Sequence, residues 1–395
     1  MKPSERVPGR ARRLRSLALN LGLVLVSFGF AGLLAEAAVR VVAPQQLITI
    51  RPDLWQPADT VGWLHRPGVS TEINTGERTV SIHTDLDGFR VGEDGRVSEG
   101  AEVLILGDSF IEALQVEYEQ SVSGFLQETL PALAGQPVAV RNAAVGGWDP
   151  DQYVLRAETL LAERSYALVI TAVYLGNDII DRRRDYVAPR EAVTRHSLRL
   201  PRRLSREEFI NAILAPVNDL LEIRSHLYLL FKNRLQTVRM KLGLAVLTFP
   251  PPFLKSEADS VRWDLTADLF EEIGDLAVES GARALFVLVP TPFQVDSADL
   301  AIYVRGYDLD PNLIDLDQPN RRLVADLTSR GLTVYDPLLA FRAAHDQGEL
   351  LYGTVDQHFS PAGNELFASL VAPLAADMLS SRESESAGTS PSARE

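Results

Sequence analysis

VLILGDSFIEA, residues 103–113, runs four apolar residues into Gly-Asp-Ser and then into a helix-compatible stretch. A short apolar run halted by glycine and followed by helical spacing reads as a buried strand turning into a helix. Four more runs of this kind follow: VAVRN (138–142), ALVITAVYL (167–175), ALFVLVP (284–290) and LTVYDP (332–337). Between and around them, helical spacing covers about 117–130, 150–164, 262–280 and 319–330. Near-continuous apolar strands separated by amphipathic helices predict a parallel sheet covered on both faces, a doubly wound α/β fold.

The bulk composition fits a folded protein with a sizeable core: 395 residues, 46% hydrophobic and 23% charged. The chain has no cysteine, which excludes disulfides, thiol nucleophiles, iron–sulfur clusters and cysteine zinc sites. Its formal charge of −14 is unevenly spread. Residues 1–15 hold Lys2 and five arginines against Glu5, a net of +5, which leaves −19 on the remainder. A body that acidic repels a phosphate backbone and argues against nucleic acid as a partner.

From Ser16 to Ala35 no residue is charged. That length suffices for a bilayer-spanning helix, and the basic flank predicts a cytoplasmic N-terminus with everything after about residue 40 exported. We expect a transmembrane signal-anchor over 16–38. A cleaved signal peptide is the alternative, since Ala35-Glu36-Ala37 fits a small-x-small site, although secretory apolar cores are usually shorter, about 7–15 residues.

The reading divides the chain further. Residues 39–100, rich in Gly, Pro and Thr with alternating pieces such as RTVSIHT (78–84), are expected to form a membrane-proximal segment with a small β element. Residues 101–379 form the main domain. An insertion of about 181–261 opens with basic stretches (DRRRDYVAPR, RLPRRLSREEF) and continues into an apolar helix over 217–235, suited to a cap beside the site or near the membrane. The Ser/Glu-rich tail 380–395 is expected to be disordered.

In an open α/β sheet, ligands bind at the carboxyl ends of the strands. The first strand there ends in Gly107-Asp108-Ser109, and the second leads to Gly146 and Gly147. The third ends in Gly176, Asn177 and Asp178, and Asp356 and His358 precede the last helix. A hydroxyl, glycine amides, a side-chain amide and an Asp with a His make a full inventory for acyl transfer through a serine. His358 would take the proton of Ser109, and Asp356 would hold the imidazole in its productive tautomer. The amides of Ser109 and Gly147 and the Asn177 side chain would stabilise the oxyanion. The ordinary alternatives are a helix cap for Ser109, a turn role for Asn177, and Asp336 as a rival orienter of His358. Asp108 and Asp178 read as structural acids. The arginines at 182–184 read as a solvated face. Nothing in the chain resembles a metal-ligand cluster or a G-x-G-x-x-G dinucleotide loop, so no cofactor or metal is expected.

Four blocks carry a resemblance: GDSF (107–110), NAAVGGW (142–148), YLGND (174–178) and DQH (356–358). In this order the chain resembles the SGNH (GDSL-like) hydrolase family over about residues 100–379. The resemblance implies a flavodoxin-like three-layer α/β/α sandwich and an ester hydrolase or O-acyltransferase with Ser109, His358 and Asp356 as its catalytic set. It also singles out Gly147, next to Trp148, as the oxyanion glycine. Two departures stand out. The block reads GDSF rather than GDSL, and the acid and base are spaced D-x-H rather than D-x-x-H, as in membrane-anchored and polysaccharide-acetylating branches. The expected substrates are acylated carbohydrate, chiefly O-acetylated envelope glycan, or lipid. A non-catalytic glycan-binding scaffold is the reading from outside enzymology.

Overall fold

A computed structural model of the chain describes residues 10–43, 45, 51, 53–95, 98–180, 217–218, 220–221, 224–241, 249–257 and 259–388. The first strands are β1 (Trp55–Ala58) and β2 (Gly62–His65), which form an antiparallel hairpin. Then come β3 (Ser70–Asn74), β4 (Thr79–Thr84), β5 (Arg90–Val91), β6 (Ala101–Leu106), β7 (Val138–Asn142) and β8 (Leu168–Tyr174). The last two are β9 (Arg283–Val289) and β10 (Thr333–Tyr335). All but the hairpin join one eight-stranded sheet in the order β10-β9-β8-β6-β7-β5-β4-β3.

Five of these strands, β6 to β10, are parallel. In chain order their arrangement is 2-1-3-4-5, the flavodoxin-like winding in which the crossover reverses beside the first strand. Their alternating residues feed two cores. Leu104 and Leu106 of β6 and Phe286 and Leu288 of β9 lie under helices Pro150–Glu163, Trp263–Glu279 and Gln318–Ser329. Val103, Ile105, Leu285 and Val287 face helices Val122–Ala134, Leu338–Asp346 and Pro361–Gly388. This is the α/β/α sandwich expected from the apolar runs.

Local chemistry sets the helix boundaries. Asp149 accepts from the Asp151 amide, Gln152 reaches back to it, and Pro150 occupies the first helical position. Ser121 caps Val122–Ala134, and Gly135 ends it in the left-handed region at φ +68°.

The sheet departs from the sequence expectation at one edge. It is mixed, because β5 runs antiparallel to β7 through Arg90 and Asn142, and β4 and β3 extend the edge. Residues 53–95 are therefore built into the main domain and do not stand apart as a membrane-proximal segment. The physical reason is that β7 would otherwise be an open edge, while Leu54, Ile73, Val80 and Ile82 bury themselves against Leu114.

At the C-terminus the helix continues to Gly388, through the first part of the tail that composition assigns to disorder. Arg283 of β9 holds it there, donating to Met378 O (3.2 Å) and Ser381 Oγ (2.6 Å). Residues 389–395 lie outside the described residues, as do 181–216 and 242–248 of the insertion. Within the insertion the expected helix is interrupted at Arg224–Ser225 and runs instead as His226–Lys241.

The N-terminal helix spans Arg10–Val42. Its segment Leu17–Val42, 26 residues of mean hydropathy up to 2.1, is long and apolar enough to cross a membrane and is not buried in the protein. At its end, Glu36 accepts from Ser225 Oγ (2.7 Å) and from the amides of His226 and Leu227 (both 3.0 Å). That carboxylate thereby caps helix His226–Lys241.

Candidate active site

Gly107 ends β6 where no side chain fits: a Cβ would lie 2.9 Å from Ile111 Cγ1. The chain then turns sharply into the short helix Ser109–Glu112. Asp108 caps it, its carboxylate accepting from the Phe110 amide at 2.9 Å. The capping role proposed as the alternative for Ser109 thus belongs to its neighbour. Ala113 ends the turn at φ 54°, an unfavourable conformation for a residue with a Cβ. Buried Arg90 of β5 stabilises it by donating to the carbonyls of Glu112, Ala113 and Val116.

With the cap supplied by Asp108, the Ser109 hydroxyl is free to bond elsewhere. It lies 2.7 Å from His358 Nε2. His358 Nδ1 bonds Asp356 Oδ1, and the other Asp356 oxygen accepts from Gln115 Nε2 at 2.8 Å. With Nδ1 donating to the carboxylate, Nε2 is left to accept the serine proton. Three residues from two distant parts of the chain thus form one hydrogen-bonded line, Ser109–His358–Asp356. Phe110 packs beside the imidazole, the rings tilted by 40° with centroids 4.7 Å apart.

The electrostatics follow from burial and partners. Burial alone would lower the His358 pKa, but the bond to Asp356 and its charge, with Asp108 and Glu112 behind, raise it above the usual 6.5. For Asp356 burial would raise the pKa, and the His358 bonds and Gln115 outweigh it and hold the carboxyl below 3.8. Burial pushes Asp108 and Asp178 upward. Asp178 accepts from the Tyr174 amide (2.7 Å) and the Tyr153 hydroxyl (3.1 Å), a structural part as expected.

The remaining expected residues gather at the same sheet edge. Asn177 is exposed and donates one Nδ2 hydrogen to Asp108 Oδ2 at 3.3 Å, next to Ser109. Gly147 is exposed with φ +78°, and among the described residues neither its amide nor that of Ser109 donates to an acceptor. The loop carrying it is tied to the nucleophile's turn by Val145 N to Gly107 O (3.3 Å) and by the buried Asn142, which donates to Ile111 O (2.7 Å).

Other expectations resolve differently. Asp336 bonds Asn320 Nδ2 (2.8 Å) and the Leu338 amide (3.0 Å), so it does not orient His358. Trp148 is fully buried and packs in the core. The arginines at 182–184 lie outside the described residues. Sequence reasoning missed Gln115, Asn142 and a second acid–histidine pair, in which Glu112 Oε1 accepts from Trp55 Nε1 (2.9 Å) and meets His65 Nε2 at 2.6 Å. Asn142 lay within one of the four blocks and Glu112 within the opening stretch, but neither signals its role there. The others depend on partners dozens to hundreds of residues away.

No family model matches the chain, and no curated protein matches it. Among solved structures it is similar to TesA, at 14% identity over 70% of this chain and 99% of that one, with a TM-score of 0.34. It is also similar to an acetyl xylan esterase, AlAXEase, at 12% identity over 68% and 97%, with a TM-score of 0.38. A lipase/acylhydrolase from Enterococcus faecalis matches at 12% identity over 70% and 96%, with a TM-score of 0.34.

Proposed function

We propose that this chain is a membrane-anchored serine esterase or O-acyltransferase of the cell envelope, working through an acyl-enzyme on Ser109. The observation that carries the reading is the line from Ser109 Oγ through the His358 imidazole to the Asp356 carboxylate. His358 takes the serine proton as Oγ attacks an ester carbonyl, and Asp356 stabilises the imidazolium that forms. The oxyanion is received by the amides of Ser109 and Gly147 and by the Asn177 Nδ2 hydrogen that Asp108 leaves free. Collapse breaks the ester bond, and His358 returns the proton to the leaving alcohol. Water or a second hydroxyl then takes the acyl group by the same steps in reverse.

The apolar N-terminal helix with its basic flank supports an uncleaved anchor and an exported domain. That location, with the family resemblance, supports O-acetylated envelope glycan as substrate. A lipid-directed esterase is the second reading. What favours it is the Glu36 cap, which ties helix His226–Lys241 to the end of the membrane-length helix while Phe231, Leu235 and Val238 stay exposed along one stripe.

The test is hydrolysis of p-nitrophenyl acetate and p-nitrophenyl octanoate by the full chain in detergent, beside Ser109→Ala and His358→Ala. Both substitutions should abolish turnover, and the acetate-to-octanoate ratio separates the two substrate readings. A wild type that is inert and unlabelled by a fluorophosphonate would overturn the catalytic reading in favour of a glycan-binding scaffold.

A further inference from the structure

The hairpin β1–β2 precedes the first strand of the parallel sheet by dozens of residues, yet it reaches the glycine loop at four points. Trp63 Nε1 donates to Gly146 O at 3.0 Å. The Trp63 ring also lies against Gly147, 3.5 Å from where a Cβ would stand. Behind the loop, a Cβ on Gly146 would fall 2.6 Å from Glu112 Oε2 and 3.5 Å from the Trp55 ring. Glu112 in turn is held by Trp55 and His65. Trp148, the next residue, donates back to Trp63 O at 3.2 Å.

The bond to Gly146 O has a consequence for the next amide. Gly146 C=O and Gly147 N–H belong to one peptide unit, and in a trans peptide the oxygen and the hydrogen point in opposite directions across a rigid plane. No cis peptide occurs among the described residues. Fixing the carbonyl on the indole therefore fixes the direction of the Gly147 N–H on the other side. Without that bond, a Gly-Gly peptide is free to rotate as a unit, because neither flanking residue has a Cβ to restrict it. Hydrogen bonding at the carbonyl also polarises the amide and strengthens its N–H as a donor.

We infer that Trp63 is a positioning residue for acyl transfer: its indole N–H locks the Gly146–Gly147 peptide so that the Gly147 amide stands ready for the oxyanion. The inference rests on the serine reading above and extends the active site to a segment the sequence places outside the catalytic domain. Trp63 acts here through the Gly146–Gly147 peptide, by its bond to Gly146 O. Its effect is on the oxyanion alone, so it acts on the transition state and leaves ground-state binding unchanged.

The experiment compares wild type, Trp63→Phe, Gly147→Ala and the double variant, as full chains in detergent with p-nitrophenyl acetate. Rates are expressed per active site titrated with a fluorophosphonate, so that loss of folded protein does not count as loss of rate. Trp63→Phe keeps an aromatic ring and removes the donor. It should lower kcat by about 10- to 100-fold, less than the ~10²–10³ of losing an oxyanion donor outright, with KM near wild type. In the Gly147→Ala background, where φ +78° strains the new residue, the same change should cost little more, because both act through one amide. Trp63→Phe with a kcat within twofold of wild type overturns the proposal, as does a loss that multiplies fully with that of Gly147→Ala. If wild type itself turns over no ester, the serine reading falls and the proposal falls with it. An active wild type with an indifferent Trp63→Phe removes the proposal alone.

Discussion

Asp356→Asn separates what the carboxylate does by charge from what it does by geometry. In the wild type, Asp356 Oδ1 faces His358 and Oδ2 accepts from Gln115 Nε2 at 2.8 Å. An asparagine can keep its oxygen toward His358 only if its amide group finds an acceptor on the Gln115 side. Gln115 Oε1 is buried and without a partner among the described residues, so a flip of the Gln115 amide supplies that acceptor. The imidazole then keeps Nδ1–H toward residue 356 and Nε2 toward Ser109. What is lost is the negative charge that stabilises the imidazolium. A unit charge about 4 Å away at an effective dielectric near 20 is worth about 4 kcal/mol, an upper bound corresponding to roughly 10³-fold in rate. We therefore expect kcat/KM to fall about 10²- to 10³-fold, less than the ~10⁴ of a serine hydrolase whose imidazole is turned into the wrong tautomer.

The pH profile gives a second reading of the same change. His358 must be neutral to act as base, and its pKa is raised above 6.5 against a burial effect that would lower it. Wild-type kcat/KM should therefore rise with pH through a limb above 6.5. In Asp356→Asn the carboxylate is gone and burial remains, so the limb moves to lower pH. Adding Gln115→Leu removes the acceptor that keeps the asparagine in register, and the double variant should drop well below Asp356→Asn alone. The reasoning is refuted if Asp356→Asn stays within tenfold of wild type, or if its acid limb does not move.

Three further outcomes follow from the packing. Glu112→Leu leaves the buried His65 and the half-buried Trp55 indole without their acceptor and should cost about 1–3 kcal/mol, read from the urea midpoint; a cost below about 0.5 kcal/mol would refute Glu112 as a structural tie. Gly107→Ala places a methyl 2.9 Å from Ile111 Cγ1 at the nucleophile's turn, and should lower kcat several-fold while the rest of the fold, followed by circular dichroism, stays intact. Because the chain has no cysteine, Leu235→Cys can be labelled alone with a fluorophore in proteoliposomes. Helix His226–Lys241 starts beside the end of the membrane-length apolar helix, so on the anchored reading quenching by lipid-borne nitroxides should exceed that at exposed Leu350→Cys; equal quenching would place the stripe in water.

The parallel sheet was legible because its four inner strands, β6 to β9, are largely buried on both faces and so read as apolar runs without help from their partners, whereas the edge strand β10 is only half-buried. VLIL at 103–106 and ALFVLV at 284–289 sit in the structure as strands within a residue or two of their sequence bounds. The Ser109, His358 and Asp356 constellation was legible for a different reason: a strand end and a pre-helical loop restrict where such residues can stand. What stayed hidden depends on long-range pairing. Nothing near Arg90 or Trp63 announces that β5 closes the edge of β7, or that an indole reaches a carbonyl 83 residues on. Asp336 stood as a rival to Asp356 because an acid after a strand suits both a catalytic orienter and a local backbone acceptor, and the Leu338 amide claims it as the latter. Composition failed at 380–388 because helix formation there continues from a packed helix whose end is tied to Arg283.

Two acid–histidine pairs flank the nucleophile's turn, and their surroundings give them opposite uses. In the Glu112–His65 pair both ring nitrogens face acceptors, Glu112 Oε1 at 2.6 Å and Gly88 O at 3.3 Å, and the residues are sealed at 1% and 3% exposure. Such a ring has no open nitrogen for a substrate proton, and its value is in holding the hairpin against the glycine loop. In the Asp356–His358 pair one nitrogen faces the carboxylate and the other faces a hydroxyl, which can give up its proton. The imidazole is 22% exposed, enough to meet a reactant without being left in bulk water. The sealed pair also contributes to the open one, because the Glu112 charge is among those that raise the His358 pKa. Replacing Glu112 should therefore do more than loosen the hairpin. Glu112→Gln, which retains an oxygen for Trp55 and His65, should move the acid limb of the rate profile to lower pH by a smaller step than Asp356→Asn. An unmoved limb would restrict Glu112 to its structural part.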